Sequence, residues 1–208
     1  MSKSNKSYKP SSSVLNSSLT SIGKLFSETA KRSPEKIAII YGNKEISYNE
    51  LNNRVNSLAH FFADQNVTRG DCIALLSRNC DNFIEVELAA AKIGAICVNF
   101  NWRWTQPEVT HCLNLTSPKL IVSSKEYEEI LNLSNQPPHL IFEKNYEEIL
   151  DNYPEVEPNY SLDPEDGLVI IFTSGTTGMP KGALISHRAM IARALIFSSE
   201  YAVSSVSH

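Results

Sequence analysis

The 208-residue chain is long enough to bury a sizeable hydrophobic core, as one domain or as two small ones. A hydrophobic share of 42% and a charged share of 20% are ordinary for a globular protein. The formal net charge of −4 gives no reason to expect nucleic acid or an anionic membrane as a partner. No apolar run approaches the length of a membrane-spanning helix, so we expect no transmembrane segment.

The first segment of the chain, residues 1–19, is rich in serine and lysine and poor in apolar side chains. Because so few apolar groups cannot offset the entropy of ordering, we predict a disordered tail there. The absence of acidic residues is also typical of a transit peptide, which is the alternative, but the segment contains no arginine.

From residue 20 onward, apolar residues alternate between helical and extended spacing. A helix, a strand pair and a second helix come first: "TSIGKLFSETAKRSP", "KIAIIYG" with "EISY", and "NELNNRVNSLAHFFADQN". The predicted strands that follow are "CIALLS", "AICVNF", "KLIVSS", "HLIFEK" and "LVIIF". The helices between them are "DNFIEVELAAAKIG", "QPEVTHCLNLT", "KEYEEILNL" and "NYEEILDNY". Nearly unbroken apolar strands are typical of sheets covered on both faces, so the alternation predicts an α/β fold with a parallel sheet.

An acidic, proline-rich segment precedes the last of these strands. We interpret residues 154–166 as a surface linker, and we expect the acids in and just before it to face solvent. After "LVIIF" the sequence predicts a further strand, "GALIS", and a final helix from "HRAMIARALIFSSEY" with Ser186 as its N-cap.

The string "FTSGTTGMPKG", residues 172–182, joins the last two predicted strands. Its glycines permit backbone conformations with positive φ that direct amide groups toward an anion: Gly175, Gly178 and Gly182. Hydroxyl groups and one ammonium group add donors: Thr173, Ser174, Thr176, Thr177 and Lys181. Because open α/β sheets bind ligands beyond the carboxyl ends of their strands, we predict a phosphate-binding loop rather than a simple polar turn.

This loop differs from the common P-loop, which ends in Gly-Lys-Ser/Thr and runs into a helix. Here Lys181 is followed by glycine, and Pro180 lacks an amide hydrogen and disfavours helical geometry before it. The sequence therefore predicts that the loop leads into a strand.

The same string resembles the signature of the adenylate-forming superfamily, which contains acyl-CoA synthetases, peptide-synthetase adenylation domains and luciferases. Two earlier segments, "ISYNELNNRVNSLAHFF" and "AAAKIGAICVNFNWRWTQPEV", resemble family segments in the same order, and the second favours acyl-CoA synthetases. The resemblance extends from about Leu19 to the end of the chain. It implies that residues 20–208 form the first part of the family's large N-terminal domain.

The resemblance also implies an activity. The complete enzyme would use ATP and Mg²⁺ to activate a carboxylic acid, with a fatty acid as the expected class, and would pass the acyl group from its adenylate to coenzyme A. Lys181 and Thr173 would be catalytic, with the Thr173 hydroxyl near the magnesium ion. The implied phosphate-binding residues are Thr173, Ser174, Gly175, Thr176, Thr177, Gly178 and Lys181.

Family members are much longer than this chain. Counterparts of the acyl pocket, the adenine and ribose contacts and the mobile C-terminal domain with its lysine are missing. We therefore expect the 208-residue chain to be catalytically incomplete on its own. The alternatives are a non-catalytic module that binds ATP or pyrophosphate, and one half of a split enzyme that needs a complementary C-terminal chain.

Other conspicuous residues are better explained by packing than by chemistry. The cysteines have no metal-ligand spacing and lie in or beside apolar segments, which predicts core thiols in a reducing, cytoplasmic setting: Cys72, Cys80, Cys97 and Cys112.

The remaining candidates are aromatic and basic. For Trp102, Arg103 and Trp104 we favour packing against the next helix over lining a cleft. For His60 and His111 we predict packing or surface placement. His187 and Arg188 are interpreted as polar residues that start and cap the final helix, with a role at a site mouth as the alternative.

Overall fold

The structure is a computed structural model that describes residues 20–131, 137–173 and 178–201. The predicted tail, residues 1–19, lies outside this range. The helices are α1 (Ile22–Arg32), α2 (Tyr48–Asp64), α3 (Asp81–Ile93), α4 (Gln106–Thr116), α5 (Phe142–Asn152) and α6 (His187–Glu200). The strands are β1 (Ile37–Tyr41), β2 (Lys44–Ser47), β3 (Cys72–Leu76), β4 (Ile96–Asn99), β5 (Leu120–Ser123), β6 (His139–Ile141), β7 (Gly167–Thr173) and β8 (Lys181–Ser186).

The main sheet has six strands in the order β6-β5-β3-β4-β7-β8. All neighbouring pairs from β6 to β7 are parallel, and β8 runs antiparallel to β7 at one edge. A separate antiparallel hairpin, β1–β2, stands beside it. The prediction of an α/β fold with a parallel sheet is confirmed.

Helices cover both faces of the sheet because the chain reverses direction along it. It steps from β3 to β4 through α3 and then back past β3 to β5 through α4, and right-handed crossovers place these two helices on opposite faces. Ile73 and Leu75 accordingly pack with α2, α3 and α5, whereas Ala74 and Leu76 pack with α4. Burial on both faces explains why these strands are apolar without interruption.

The helix boundaries follow capping chemistry that is visible in the sequence. Ser21, Ser47 and the predicted cap Ser186 each accept a hydrogen bond from a backbone amide in the first turn of α1, α2 and α6. Thr105 and Glu108 form a capping box at the start of α4. These starts agree with the sequence prediction to within about two residues.

One predicted helix, "KEYEEILNL", is wrong. The structure has only a single 3₁₀ turn, Lys125–Tyr127, followed by hydrogen-bonded turns as far as Leu131. Tyr127, Ile130 and Leu131 pack with α4 against the sheet, so the 3₁₀ turn and the turns after it already cover these apolar side chains; Asn132 and Leu133 lie outside the described residues. A short helix gains little from propagation once that burial is complete.

The next boundary was also misplaced. The predicted strand "HLIFEK" ends at Ile141, and α5 begins at Phe142. The rings of Phe142 and Tyr146 lie 5.1 Å apart in an edge-on contact, which is the spacing of neighbours on one helix face. This contact places Phe142 in the helix rather than in the strand.

The linker 154–166 connects α5 to β7 and lies on the surface, but it also makes side-chain contacts with three helices. Glu157 accepts hydrogen bonds from Ser27 at 2.6 Å and from the buried ammonium of Lys92 at 2.7 Å. The Asn56 amide donates to the Glu155 carbonyl at 2.8 Å. Glu155 and Glu157 are exposed, as expected, but they also contact a hydroxyl, an amide and an ammonium group on α1, α2 and α3, which the sequence did not indicate.

The cysteines are free thiols, as predicted, and Cys97 and Cys112 are buried. Burial raises the pKa of Cys97 well above its usual range, which makes the thiol unreactive. None of the helices within the described ranges combines the length and apolarity needed to cross a membrane.

Candidate functional site

The candidate site is the connection between β7 and β8. The two strands form an antiparallel hairpin in which Thr173 pairs with Lys181 as the last rung. β7 also pairs in parallel with β4, so the connection leaves at the carboxyl edge of the parallel sheet. The prediction that the loop leads into a strand rather than a helix is confirmed.

The structure describes three of the predicted phosphate-binding residues. Thr173 and Lys181 face each other at the base of the loop, where the Thr173 hydroxyl lies 3.5 Å from the Lys181 carbonyl oxygen. Gly178 has a φ of 111°, a conformation that side chains rarely adopt. The other four, Ser174, Gly175, Thr176 and Thr177, lie outside the described residues, and their role stays a prediction.

Gly182 serves a purpose different from the one predicted. It lies in β8 opposite Phe172 and does not have the positive φ expected of it. A Cβ atom at this position would lie 2.8 Å from Ile170 Cγ2 and 3.2 Å from Phe172 Cε1. The position therefore needs glycine because the neighbouring strand leaves no room for a side chain.

Lys181 carries the positive charge of the site. Its side chain is exposed, and within the described residues it forms no ion pair. The ammonium group is thus available to an anion, whereas most other basic groups around the sheet are engaged: Lys44, Arg54, Arg69, Lys92 and Arg188 each contact a carboxylate.

Three aromatic rings support the first arm of the loop. The Phe172 ring packs edge-on against Trp104 at 5.2 Å and Phe100 at 6.0 Å, and Phe100 lies 5.6 Å from Trp104. Phe100 follows β4 and Trp104 precedes α4, so these contacts join the end of β7 to the neighbouring strand and helix. The expectation that Trp104 packs is confirmed.

Trp102 is placed differently. It is partly exposed and is covered by two guanidinium groups, Arg78 at 4.5 Å and Arg103 at 4.3 Å from the ring centre. Arg78 follows β3, and no periodicity or spacing in the sequence indicates that it would meet Trp102.

The second arm of the loop is held by a residue that the sequence analysis set aside. His111 of α4 places its Nε2 atom 3.2 Å from the carbonyl oxygen of Pro180. A lone histidine on a helix carries no signal of this contact, because the two residues are 69 positions apart.

The other histidine of interest, His187, is buried and joins two helices. Its Nδ1 atom accepts a hydrogen bond from the Ile22 amide at 3.1 Å, which ties α6 to the start of α1. His187 does start α6, but the interpretation that polarity at the helix start explains this residue is corrected, because a hydrogen bond to a distant helix and burial fix its side chain. Arg188 pairs with Glu165 in the linker.

The donor groups around Thr173 decide whether it fits the predicted role of magnesium ligand. Across the described ranges, no group of three or more His, Cys, Asp or Glu side chains could hold a metal ion. Thr173 offers one nearly uncommitted hydroxyl at the loop base. A single oxygen ligand fits Mg²⁺, because this ion keeps several waters and takes further ligands from substrate phosphates.

Comparisons with known proteins identify relatives over most of the chain. A fatty acid–acyl-carrier-protein ligase, ScoC from Streptomyces coeruleorubidus, is 27% identical and matches over 78% of this chain and 32% of its own length. The PKS-NRPS hybrid synthetase acdB from Aspergillus candidus is 32% identical over 80% of this chain and 7% of its own. A medium/long-chain-fatty-acid–CoA/3-oxocholest-4-en-26-oate–CoA ligase from Mycobacterium tuberculosis is 29% identical over 81% of this chain and 34% of its own.

The fold is shared with a solved structure. The inhibitor-bound N-terminal domain of FACL13 from Mycobacterium tuberculosis superposes with a TM-score of 0.75 at 27% identity, covering 81% of this chain and 45% of that domain. The chain therefore spans about a third of the two ligases it matches and less than half of that N-terminal domain.

A sequence profile of the AMP-binding enzymes matches residues 26–206, which is most of the chain. The resemblance first seen in "FTSGTTGMPKG" is thereby confirmed, and it extends through the fold to the core of the sheet. The chain belongs to the AMP-binding enzyme family.

Proposed function

We propose that this chain is the phosphate-binding N-terminal part of an ATP-dependent ligase that activates a fatty or other carboxylic acid and transfers it to the thiol of coenzyme A. The observation that carries the proposal is the β7–β8 hairpin, which presents an exposed lysine, free of ion pairs among the described residues, and a threonine hydroxyl at the carboxyl edge of a parallel sheet. Membership of the AMP-binding family supports it.

The loop's backbone and hydroxyl donors would supply most of the binding free energy. An exposed lysine ion pair contributes about 0–1 kcal/mol, whereas each hydrogen bond to a charged acceptor contributes roughly 1.5–3 kcal/mol. Four or five such bonds, less the cost of association, reach about −8 kcal/mol, which corresponds to micromolar affinity. The β- and γ-phosphates of ATP offer acceptors of this kind.

The chemistry follows from where charge develops. A carboxylate oxygen of the acid attacks the α-phosphorus, the bond from that phosphorus to the β-bridging oxygen breaks, and pyrophosphate leaves with the electron pair. The thiol of coenzyme A then attacks the acyl carbon and loses its proton to solvent, and AMP leaves as the bond from that carbon to the phosphate oxygen breaks. Lys181 would offset the charge that grows on the pyrophosphate, and donors aimed at this group lower the barrier by electrostatic stabilisation.

Thr173 would contact a magnesium ion at this site, because its hydroxyl is at the loop base and has only a long contact, 3.5 Å, with the Lys181 carbonyl oxygen among the described residues. When bound, Mg²⁺ supplies positive charge to the polyphosphate. Thr173 and Lys181 would then hold the same group from the two strands of the hairpin.

The choice of acid and acceptor rests on the relatives. The names of two relatives specify fatty acids, one with CoA and one with an acyl-carrier protein as the thiol. Both acceptors present a thiol. We favour a fatty acid and CoA because the segment "NFNWRWTQPEV" resembles acyl-CoA synthetases, and a carrier protein is the competing acceptor. We place the protein in the cytoplasm, in keeping with its free thiols.

A direct test is calorimetric titration of the chain with inorganic pyrophosphate and Mg²⁺. We expect binding that Lys181→Ala weakens by up to about fivefold, since an exposed ion pair contributes at most about 1 kcal/mol. The control is Lys24→Ala, because Lys24 is also exposed but lies on α1, away from the hairpin. Failure of the wild-type chain to bind pyrophosphate would refute the assignment of the loop.

The second candidate is a non-catalytic module that binds ATP or pyrophosphate. It is favoured by the same hairpin, whose threonine hydroxyl and exposed lysine could bind a polyphosphate without any further catalytic group. Pyrophosphate exchange into ATP with a panel of carboxylic acids separates the candidates. We expect no exchange from the chain alone, and exchange after a complementary chain carrying the rest of the enzyme is added. Exchange by the isolated chain would contradict its proposed incompleteness.

A further inference from the structure

The base of the loop is held on two sides by one helix and the turn that leads into it. On the β7 side the Phe172 ring packs against Trp104, just before α4. On the β8 side the Pro180 carbonyl lies 3.2 Å from His111 Nε2, in the middle of α4. Because the acceptor is a carbonyl oxygen, the hydrogen must be on the nitrogen, and His111 is the donor.

This hydrogen bond acts on the one soft torsion that remains at Pro180. The proline ring fixes φ near −65°, and the peptide bond to Lys181 is planar. Only ψ of Pro180 then sets where its carbonyl points and where Lys181 begins. A donor on that carbonyl therefore selects the direction in which Lys181 leaves the loop.

Burial of Pro180 strengthens the effect of this hydrogen bond on the direction of the chain. Pro180 is buried, and an unpaired carbonyl in such a position costs free energy. Its neighbours Met179 and Lys181 are exposed, so the proline is the point at which the β8 arm is anchored to the core. Across the described part of the loop, His111 is the side chain that satisfies this carbonyl.

We propose that His111 is a positioning residue for the phosphate loop: its Nε2–H···O bond to Pro180 fixes the exit arm so that Lys181 faces the bound polyphosphate. This inference rests on the proposed function for the identity of the ligand, but the ordering of the arm is independent of it. His111 does not touch the phosphate; it acts through the Pro180–Lys181 peptide.

The test compares two substitutions of similar size and polarity. The amide nitrogen of Gln stands near the position of Nε2, whereas that of the shorter Asn does not reach it. We expect His111→Gln to retain ordering of the arm and His111→Asn to lose it. His60 provides the matched control, because its Nε2 atom lies 3.0 Å from the Val156 carbonyl, another contact between a helix histidine and a loop, far from the hairpin.

The first measurement is hydrogen exchange in the full 208-residue chain without ligand. In His111→Asn we expect the amides of Gly178, Met179, Lys181 and Gly182 to exchange about threefold to tenfold faster, the loss typical of one hydrogen bond. His111→Gln should match wild type, and His60→Asn should leave these amides unchanged. Thermal melts of each variant verify folding.

The second measurement is titration with inorganic pyrophosphate and Mg²⁺. His111→Asn should bind about threefold to tenfold more weakly, and His111→Gln should bind within twofold of wild type. Equal exchange and affinity in the Asn and Gln variants would overturn the inference. If wild type itself fails to bind pyrophosphate, the proposed function fails, while the exchange data alone still decide whether His111 orders the arm.

Discussion

At the scale of single residues, the site depends on small side chains as much as on charged ones. Gly182 shows this most directly, because its place in β8 is set by Ile170 and Phe172 on the adjacent strand. The sequence marked it as a flexible loop residue, whereas the structure makes it a packing requirement beside the loop.

Gly182→Ala should destabilise the hairpin. The added Cβ would lie 2.8 Å from Ile170 Cγ2, and relieving such a contact costs about 1–3 kcal/mol. Urea denaturation of Gly182→Ala, Ile170→Ala and the double variant forms a cycle in which the glycine substitution should cost less once Ile170 is shortened. If the free-energy changes of the two single substitutions added exactly, a residue other than Ile170 would have to relieve the clash.

A second residue-scale consequence concerns Arg54, which joins three helices. Its guanidinium on α2 contacts Glu85 of α3 at 2.6 Å and Glu147 of α5 at 2.8 Å, and the Tyr146 hydroxyl donates to Glu85 at 2.7 Å. The Glu85 side chain is fully buried, so its charge depends on these partners.

Arg54→Leu should therefore reduce the free energy of unfolding by about 3–5 kcal/mol, because it leaves a buried carboxylate unpaired. The matched control is Arg32→Leu on α1, an exposed arginine whose one hydrogen bond within the described ranges is to Thr29, and there we expect less than about 0.5 kcal/mol. Chemical denaturation measures both changes. A loss for Arg54→Leu no larger than the control would contradict the structural role of the pair.

At the scale of elements, the contact between α1 and α6 is set by one neutral histidine. Burial lowers the pKa of His187 below its ordinary value, and the carboxylate of Asp166 offsets only part of this. Its Nδ1 atom can accept from Ile22 only when that nitrogen carries no proton. Packing of α6 on α1 is therefore sensitive to acid.

The sign of the pH dependence follows from proton binding. Below about pH 6.5 the unfolded chain takes up a proton on His187 that the folded chain resists, so stability falls as pH falls. One such group contributes a slope of at most about 1.4 kcal/mol per pH unit. His187→Asn keeps an acceptor near Nδ1 but does not titrate, so its melting temperature should fall less between pH 7 and 5. If the melting temperatures of wild type and His187→Asn fell equally between pH 7 and 5, this pH dependence could not be assigned to His187.

At the scale of the whole molecule, apolar side chains remain uncovered at one end of the fold. Leu195, Ile196 and Phe197 of α6 are exposed, and so is Leu184 of the edge strand β8. Exposed apolar side chains on neighbouring elements promote association in solution.

The isolated chain should therefore self-associate. Sedimentation velocity over a range of concentrations is expected to show species larger than the monomer, and the double variant Ile196→Lys/Phe197→Lys should shift the protein toward monomer. The matched double variant Arg193→Lys/Glu200→Asp, on the same helix, keeps the charges and should leave association unchanged. A monomer at every concentration would contradict the idea.

The sequence by itself determined the layered fold and the place of the loop. Strands that are apolar on both faces can be buried only between helices, and the string 172–182 with Pro180 can only turn and leave as a strand. These features are local or periodic, so composition and spacing suffice to predict them.

Only the tertiary structure decided which distant residues support the site and the core. His111 meets Pro180 across 69 positions and Arg54 meets Glu147 across 93, and no local pattern encodes such pairs. No local pattern in "KEYEEILNL" shows that it forms a 3₁₀ turn whose apolar side chains pack with α4. Long-range contacts depend on how the strands are ordered, which the apolar spacing of each separate element does not specify.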